Sequence, residues 1–147
     1  MATYTILPKV YDNITTTSTL INTIKKGEAK EYAWDFAIGD FILKNGRPQI
    51  VTGTSAVKIW IYKALETQRY RYQAYSRSFG QEYDTLIGKG YINALIKVEA
   101  ERLTREALFI HPDITAITNF TVDLENESTL KMDFDVDTTY GQIKISI

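Results

Sequence analysis

Apolar positions recur along this chain in two clear rhythms, and each predicts a different kind of element. Val57, Trp60, Ile61, Ala64 and Leu65 fall at i, i+3, i+4, i+7 and i+8, one face of a helix. Lys58, Tyr62, Lys63 and Glu66 take the other side, Thr54 or Ser55 stands where a cap is needed, and the helix is expected to end near Gln68. A longer helical stretch runs from Tyr91 to Phe109, with Ile92, Leu95, Ile96, Leu103, Ala107 and Ile110 as its buried stripe. Glu101 with Arg105, and Arg102 with Glu106, form i, i+4 pairs on its exposed side. Pro112 stops this helix and biases His111 toward extended backbone.

The second rhythm has period two. Phe120, Val122 and Leu124, then Leu130, Met132, Phe134 and Val136, then Ile143, Ile145 and Ile147, alternate with polar residues and are separated by short turns at 125–128 and 139–141. Short connections between alternating strands predict an antiparallel meander with one apolar face, which the two helices would cover. Period two also appears at Tyr32, Trp34, Phe36 and Ile38, with Gly39-Asp40 as a turn and Phe41 to Leu43 as a returning strand. Asn45-Gly46 is the strongest hairpin dipeptide in the chain, and Ile50-Val51 follows as a brief extended piece. Between the helices, Tyr70, Tyr72 and Ala74 alternate with Arg69, Arg71, Gln73 and Tyr75. This predicts a strand with Tyr70 and Tyr72 buried and Arg69 and Arg71 at a surface or partner. Residues 81–87 are expected to form a short helix, stopped by glycines.

The fold class expected is therefore α+β: a small antiparallel sheet closing in a C-terminal meander, covered by two main helices. Residues 1–30 differ from the rest. The run Ile14-Thr-Thr-Thr-Ser-Thr-Leu20 has no helical period and too little apolar surface to offset its own ordering. It reads as an extended N-terminal arm preceding a compact domain at 31–147. Such an arm is expected to be mobile in the free subunit and ordered on a neighbour.

Composition narrows the chemistry. With 147 residues, 44% hydrophobic and 24% charged, the chain has the make-up of one globular domain with its own core. A formal net charge of −1 argues against a dedicated duplex binder, and no nucleic-acid or membrane partner is expected. No segment approaches the roughly 20 apolar residues of a membrane span, and the start has neither the basic nor the apolar run of a secretory signal. Without cysteine there is no thiolate chemistry and no Cys-based zinc site. His111 is the only histidine and stands at a helix end beside proline, so it reads as a capping or interface residue rather than a triad base. No phosphate loop and no metal spacing is present, and no cofactor is expected. Asp133, Asp135 and Asp137 share one strand face that reads as solvated. Glu82 and Asp84 could border a groove, which keeps open a two-carboxylate hydrolase as an alternative. Arg69 and Arg71 interleaved with tyrosines keep open a single-strand-binding module, although the alternation puts cations and rings on opposite faces. Ten tyrosines suit an interface, or simply a β-rich chain.

Several strings stand in a distinctive order: Trp34-Asp35-Phe36, TGTSAVKIWIYKAL, TQRYRYQAYSRSFGQEYDTLIG, TREALFIHPDITAITNF and DTTYGQIKIS. Over residues 31–147 the chain resembles the XkdS-like baseplate family of PBSX-type prophages and related contractile particles. That family is similar to the lysozyme-like wedge proteins of large contractile coliphages. The resemblance implies a structural, non-enzymatic subunit of the baseplate wedge of a contractile phage tail or tailocin, assembled in the bacterial cytoplasm. It implies partners among the sheath protein, other wedge proteins and the tail tube or spike hub, and a part in initiating or anchoring the sheath. Where the coliphage relatives carry Glu-Pro-Arg after the long helix, this chain has His111-Pro112-Asp113, keeping the proline alone. A strand that runs to Ile147 leaves an edge to which another chain can add. The residues expected at interfaces are Arg69, Arg71, Tyr75, His111, Pro112, Asp113, Ile143, Ile145 and Ile147, with no catalytic, cofactor or metal site.

Overall fold

The computed structural model describes residues 27–86, 89–126 and 129–147. The expected N-terminal arm therefore lies almost wholly outside the described residues.

Six short strands come first: β1 (Lys30–Tyr32), β2 (Trp34–Asp35), β3 (Asp40–Phe41), β4 (Leu43–Lys44), β5 (Arg47–Pro48) and β6 (Ile50–Thr52). β1 pairs antiparallel with β6, β2 with β3, and β4 with β5. Asn45 (φ 54°) and Gly46 (φ 73°) both take positive φ, the type I′ geometry that matches strand twist, so the hairpin stands where the Asn-Gly pair puts it. The long alternating strand expected from residue 31 breaks instead. The Asp35 carboxylate accepts from the backbone amides of Ala37 (2.9 Å) and Ile38 (3.2 Å) and turns the chain before Gly39. Phe36 and Ile38 therefore lie on the surface, Tyr32 is exposed and Trp34 half-buried, so the expected core face does not form, and Ala33 is the buried residue of this stretch.

Helix α1 (Gly53–Glu66) buries Val57, Ile61, Ala64 and Leu65 of the expected stripe. Its N-cap is Thr52, without a side-chain cap, so neither Thr54 nor Ser55 plays that part. Thr54 Oγ1 donates to the Tyr140 carbonyl instead and ties the helix start to the last turn of the meander. Helix α2 (Asn93–Leu108) buries Ala100, Leu103, Thr104, Ala107 and Leu108, a stripe confined to its second half. Ile92, Leu95 and Ile110, expected in that stripe, are exposed. Ile92 is the residue that caps the helix start and Ile110 lies beyond its C-cap Phe109, so neither is helical, and Leu95 sits in the first turn, ahead of the buried residues that begin at Ala100.

The meander is β7 (Ile114–Asn126), β8 (Thr129–Thr138) and β9 (Gly141–Ser146), antiparallel in the order β7-β8-β9. β7 begins at Ile114, six residues before the expected alternation, and absorbs a bulge where Asn119 takes φ 52°. Ile117, Val122, Met132, Phe134, Val136, Ile143 and Ile145 face inward and join the buried residues of α1 and α2 in one core.

Residues 67–81 depart most from expectation. They form no strand but a loop of successive turns, closed at its neck by a bridge between Gln68 and Gln81. Burial is inverted at three of the four positions: Arg69 is 9% exposed, whereas Tyr70 and Tyr72 are 69% and 53% exposed; Arg71 alone is at the surface as expected. Tyr70 takes φ 66°, which no regular strand permits. The inversion follows from pairing. A buried guanidinium is tolerable when carboxylates meet it, and tyrosine remains soluble when exposed. A short 3-10 turn, Tyr83–Thr85, replaces the expected helix after the loop.

Candidate functional site

The sheet has two outer edges, and they are treated differently. Met132 and Ile147 exchange both backbone hydrogen bonds (2.7 and 3.0 Å). The alternation of an antiparallel pair then turns the amides and carbonyls of Ile143 and Ile145 inward, toward β8. Those of Gln142, Lys144 and Ser146 point away from the sheet. Among the described residues, no backbone group meets them, and only Tyr62 Oη reaches across, 3.4 Å from the Ser146 carbonyl. On the opposite edge α2 lies against β7. There Arg105, held by Glu101 at 2.7 Å, donates to the outward carbonyl of Ile117 at 3.0 Å. One edge thus carries a cationic cover and the other, among the described residues, is open, the condition for accepting another strand.

The expected interface residues fall into three groups. Ile143 and Ile145 are core side chains, and Ile147 packs partly against that core, so what this strand offers a partner is its backbone. His111, Pro112 and Asp113 form the junction between α2 and β7. The His111 ring lies 4.6 Å from Trp60 of α1, and its Nδ1 accepts from the Asp113 amide at 3.1 Å. Asp113 is buried and binds both the amide (2.9 Å) and the hydroxyl (3.0 Å) of Thr139 in the β8–β9 turn. This segment therefore fixes the meander's position against both helices, and Pro112 alone of the three is exposed.

Arg69, Arg71 and Tyr75 belong to the loop. Arg69 is its latch: Nε donates to the Gly80 carbonyl (3.2 Å), and Nη1 pairs with Glu82 (2.9 Å) and with Glu106 on α2 (2.7 Å). Burial works against the charge, but the Glu106 hydrogen bond and field, then Glu82, outweigh it and hold the pKa above its ordinary value. The Arg69 hydrogen bond correspondingly holds the Glu106 carboxyl below its usual range. Gly80 must be glycine: φ is +103°, and a Cβ there would stand 2.5 Å from the Thr67 carbonyl. Arg71 and Tyr75 are exposed on the same loop.

Glu82, considered as a hydrolytic acid, is engaged by Arg69, and Asp84 accepts a hydrogen bond from Gln68. Asp135 accepts from Asn119 (2.8 Å) and Asp137 from Gln142 (2.9 Å) across the outer face of the sheet. Among the described residues no cluster of three or more His, Asp or Glu side chains could hold a metal ion. A groove of ≈ 1190 Å³ runs beside the end of β9, walled by Trp34, Phe36, Tyr62, Leu130 and Ile147. Sequence reasoning missed the Arg69 latch and the Arg105 cover. Both depend on carboxylates or carbonyls far along the chain, which no local pattern signals.

Residues 30–141 match the family model described as contractile injection system sheath initiator. Over 105 residues the chain is 34% identical to the phage-like element PBSX protein XkdS of Bacillus subtilis (strain 168), covering 69% of this chain and 74% of that protein.

Proposed function

The chain belongs to the contractile injection system sheath initiator family, and we propose that it sits in the baseplate wedge around the tail tube and offers the open edge of β9 to a strand of the sheath. The observation that carries this reading is the asymmetry of the two sheet edges. Arg105 and α2 protect β7, while the outward amides and carbonyls of Gln142, Lys144 and Ser146 meet no backbone partner among the described residues, with Tyr62 Oη alone donating to the Ser146 carbonyl. Strand addition at such an edge gives affinity through main-chain bonds and fixes the register of the incoming chain, as an initiator of an ordered lattice requires. The groove beside Ile147 would receive apolar side chains of the same incoming segment.

Proline substitution separates the two sides of β9. The Ser146 amide points outward, so Ser146→Pro removes a docking donor and no ladder bond; the Ile145 amide points inward, so Ile145→Pro breaks the β8 ladder. Thermal melts should show Ser146→Pro close to wild type and Ile145→Pro strongly destabilised. Electron microscopy of particles carrying Ser146→Pro should then show tails with detached or missing sheath. Normally sheathed tails would place the docking surface elsewhere.

A further inference from the structure

The loop between α1 and the 3-10 turn is unused by the reading above. We propose that residues 70–78 form a second docking surface, and that its partner is a carboxylate-bearing face of another protein subunit in the tail. The inference rests on the chain being a tail component.

Nine consecutive residues, 70–78, are exposed, yet the loop is built rather than loose. Its neck is pinned by Arg69 N–H to the Gln81 carbonyl (2.8 Å), by Gln81 N–H to the Thr67 carbonyl (2.9 Å) and by the Arg69 latch. Inside it, turns closed at Tyr72–Tyr75 and Ser76–Phe79 fix the backbone. A row of rings then runs outward from the core. Trp60 of α1 meets Phe79 at 5.7 Å, Phe79 stacks on Tyr75 at 4.7 Å, and Tyr75 meets Tyr72 edge-on at 6.5 Å. Exposed tyrosines held in place cost little entropy when they bind, and tyrosine and arginine are the residues that dominate protein interfaces.

Charge gives the partner's chemistry. No carboxylate occurs from Thr67 to Gln81. Arg69 is neutralised by Glu82 and Glu106, which leaves Arg71 and Arg77 as a positive tip on a chain of net charge −1. An acidic protein face fits that tip. Single-stranded nucleic acid fits it less well, because stacking needs free ring faces along a cationic groove. Here Tyr75 already stacks on Phe79, and the Arg71 guanidinium lies over Tyr72, 6.0 Å from its centroid.

The test is made on purified particles containing the full chain with p-benzoylphenylalanine in place of Tyr72. Irradiation should give an adduct to a tail protein, or to a second copy of this chain, mapping to a peptide that carries Asp or Glu. The double substitution Arg71→Glu/Arg77→Glu should abolish the adduct and lower incorporation into particles about tenfold, while Arg71→Lys/Arg77→Lys should keep most of both. The photo-adduct decides the matter even if the charge reversal harms folding. No adduct in particles that contain the chain, an adduct to a peptide without carboxylates, or unchanged incorporation of a folded charge-reversed chain overturns the proposal. So does binding of a fluorescent oligothymidylate of about 20 nucleotides that is lost on charge reversal, which would assign the loop to nucleic acid. Absence of the wild-type chain from particles would instead refute its role as a tail component.

Discussion

Replacing Arg69 with alanine removes three contacts from one guanidinium whose side chain is 6% exposed: the Gly80 carbonyl, Glu82 and Glu106. Deleting one partner of a fully buried ion pair costs about 3–5 kcal/mol, because the other charge is stranded. Here the stranded carboxylates retain 31% and 49% side-chain exposure and can rehydrate, so the loss reduces to about 2–3 kcal/mol. For a chain of this length that corresponds to a fall in Tm of about 6–10 °C at pH 7. Arg102→Ala is the control, since this arginine also pairs with Glu106 but is 56% exposed, and its loss should leave the melt close to wild type. The sign with pH is fixed by Glu106. Its pKa is lower in the folded chain than the ordinary value of 4.5, so its share of stability is complete above 4.5 and disappears as pH falls through the folded value. The deficit of Arg69→Ala relative to wild type should therefore shrink in acid. Scanning calorimetry or circular-dichroism melts across that range measure it. An Arg69→Ala chain that melts with wild type at pH 7, or a deficit that grows in acid, would refute the latch.

Two further outcomes follow from the same region. Gly80→Ala should cost more than about 3 kcal/mol and open the loop to protease, because the added Cβ meets backbone at 2.5 Å in a conformation alanine avoids. Thr104→Val should cost about 1–3 kcal/mol, because Thr104 Oγ1 is 2.6 Å from the buried Tyr83 hydroxyl. Burial pushes the Tyr83 hydroxyl up to about 12, against the opposing Thr104 hydrogen bond, from its ordinary value of 10.0. Its stabilising contribution is thus complete below pH 10.0 and lost as pH rises through about 12, which ultraviolet titration of the tyrosines against a Tyr83→Phe chain reads directly.

Elements governed by local chemistry were legible in the sequence. Asn45-Gly46 specifies its turn through positive φ at both positions, and the α1 stripe and the three-strand alternation specify faces that can bury only one way. Elements governed by distant partners were not. The Arg69–Tyr75 alternation is that of a strand, but Glu106, 37 residues on, makes it better to bury the arginine and expose the tyrosines. The Asp35 carboxylate similarly overrides strand alternation by capturing two amides locally. The expected stripe of α2 included Ile92 and Ile110, which lie outside the helix, and left out Ala100 and Leu108, which it buries. At the candidate site, the β9 strand could be read from its isoleucines. Which of the two sheet edges stays open could not, because Arg105 of α2 decides it.

The most direct measurement is electron microscopy of particles from cells in which this chain alone is deleted, with and without a complementing copy. The account predicts tubes on baseplates that lack sheath, with sheathed, contractile tails restored by the wild-type copy. Normally sheathed tails in the deletion would contradict it.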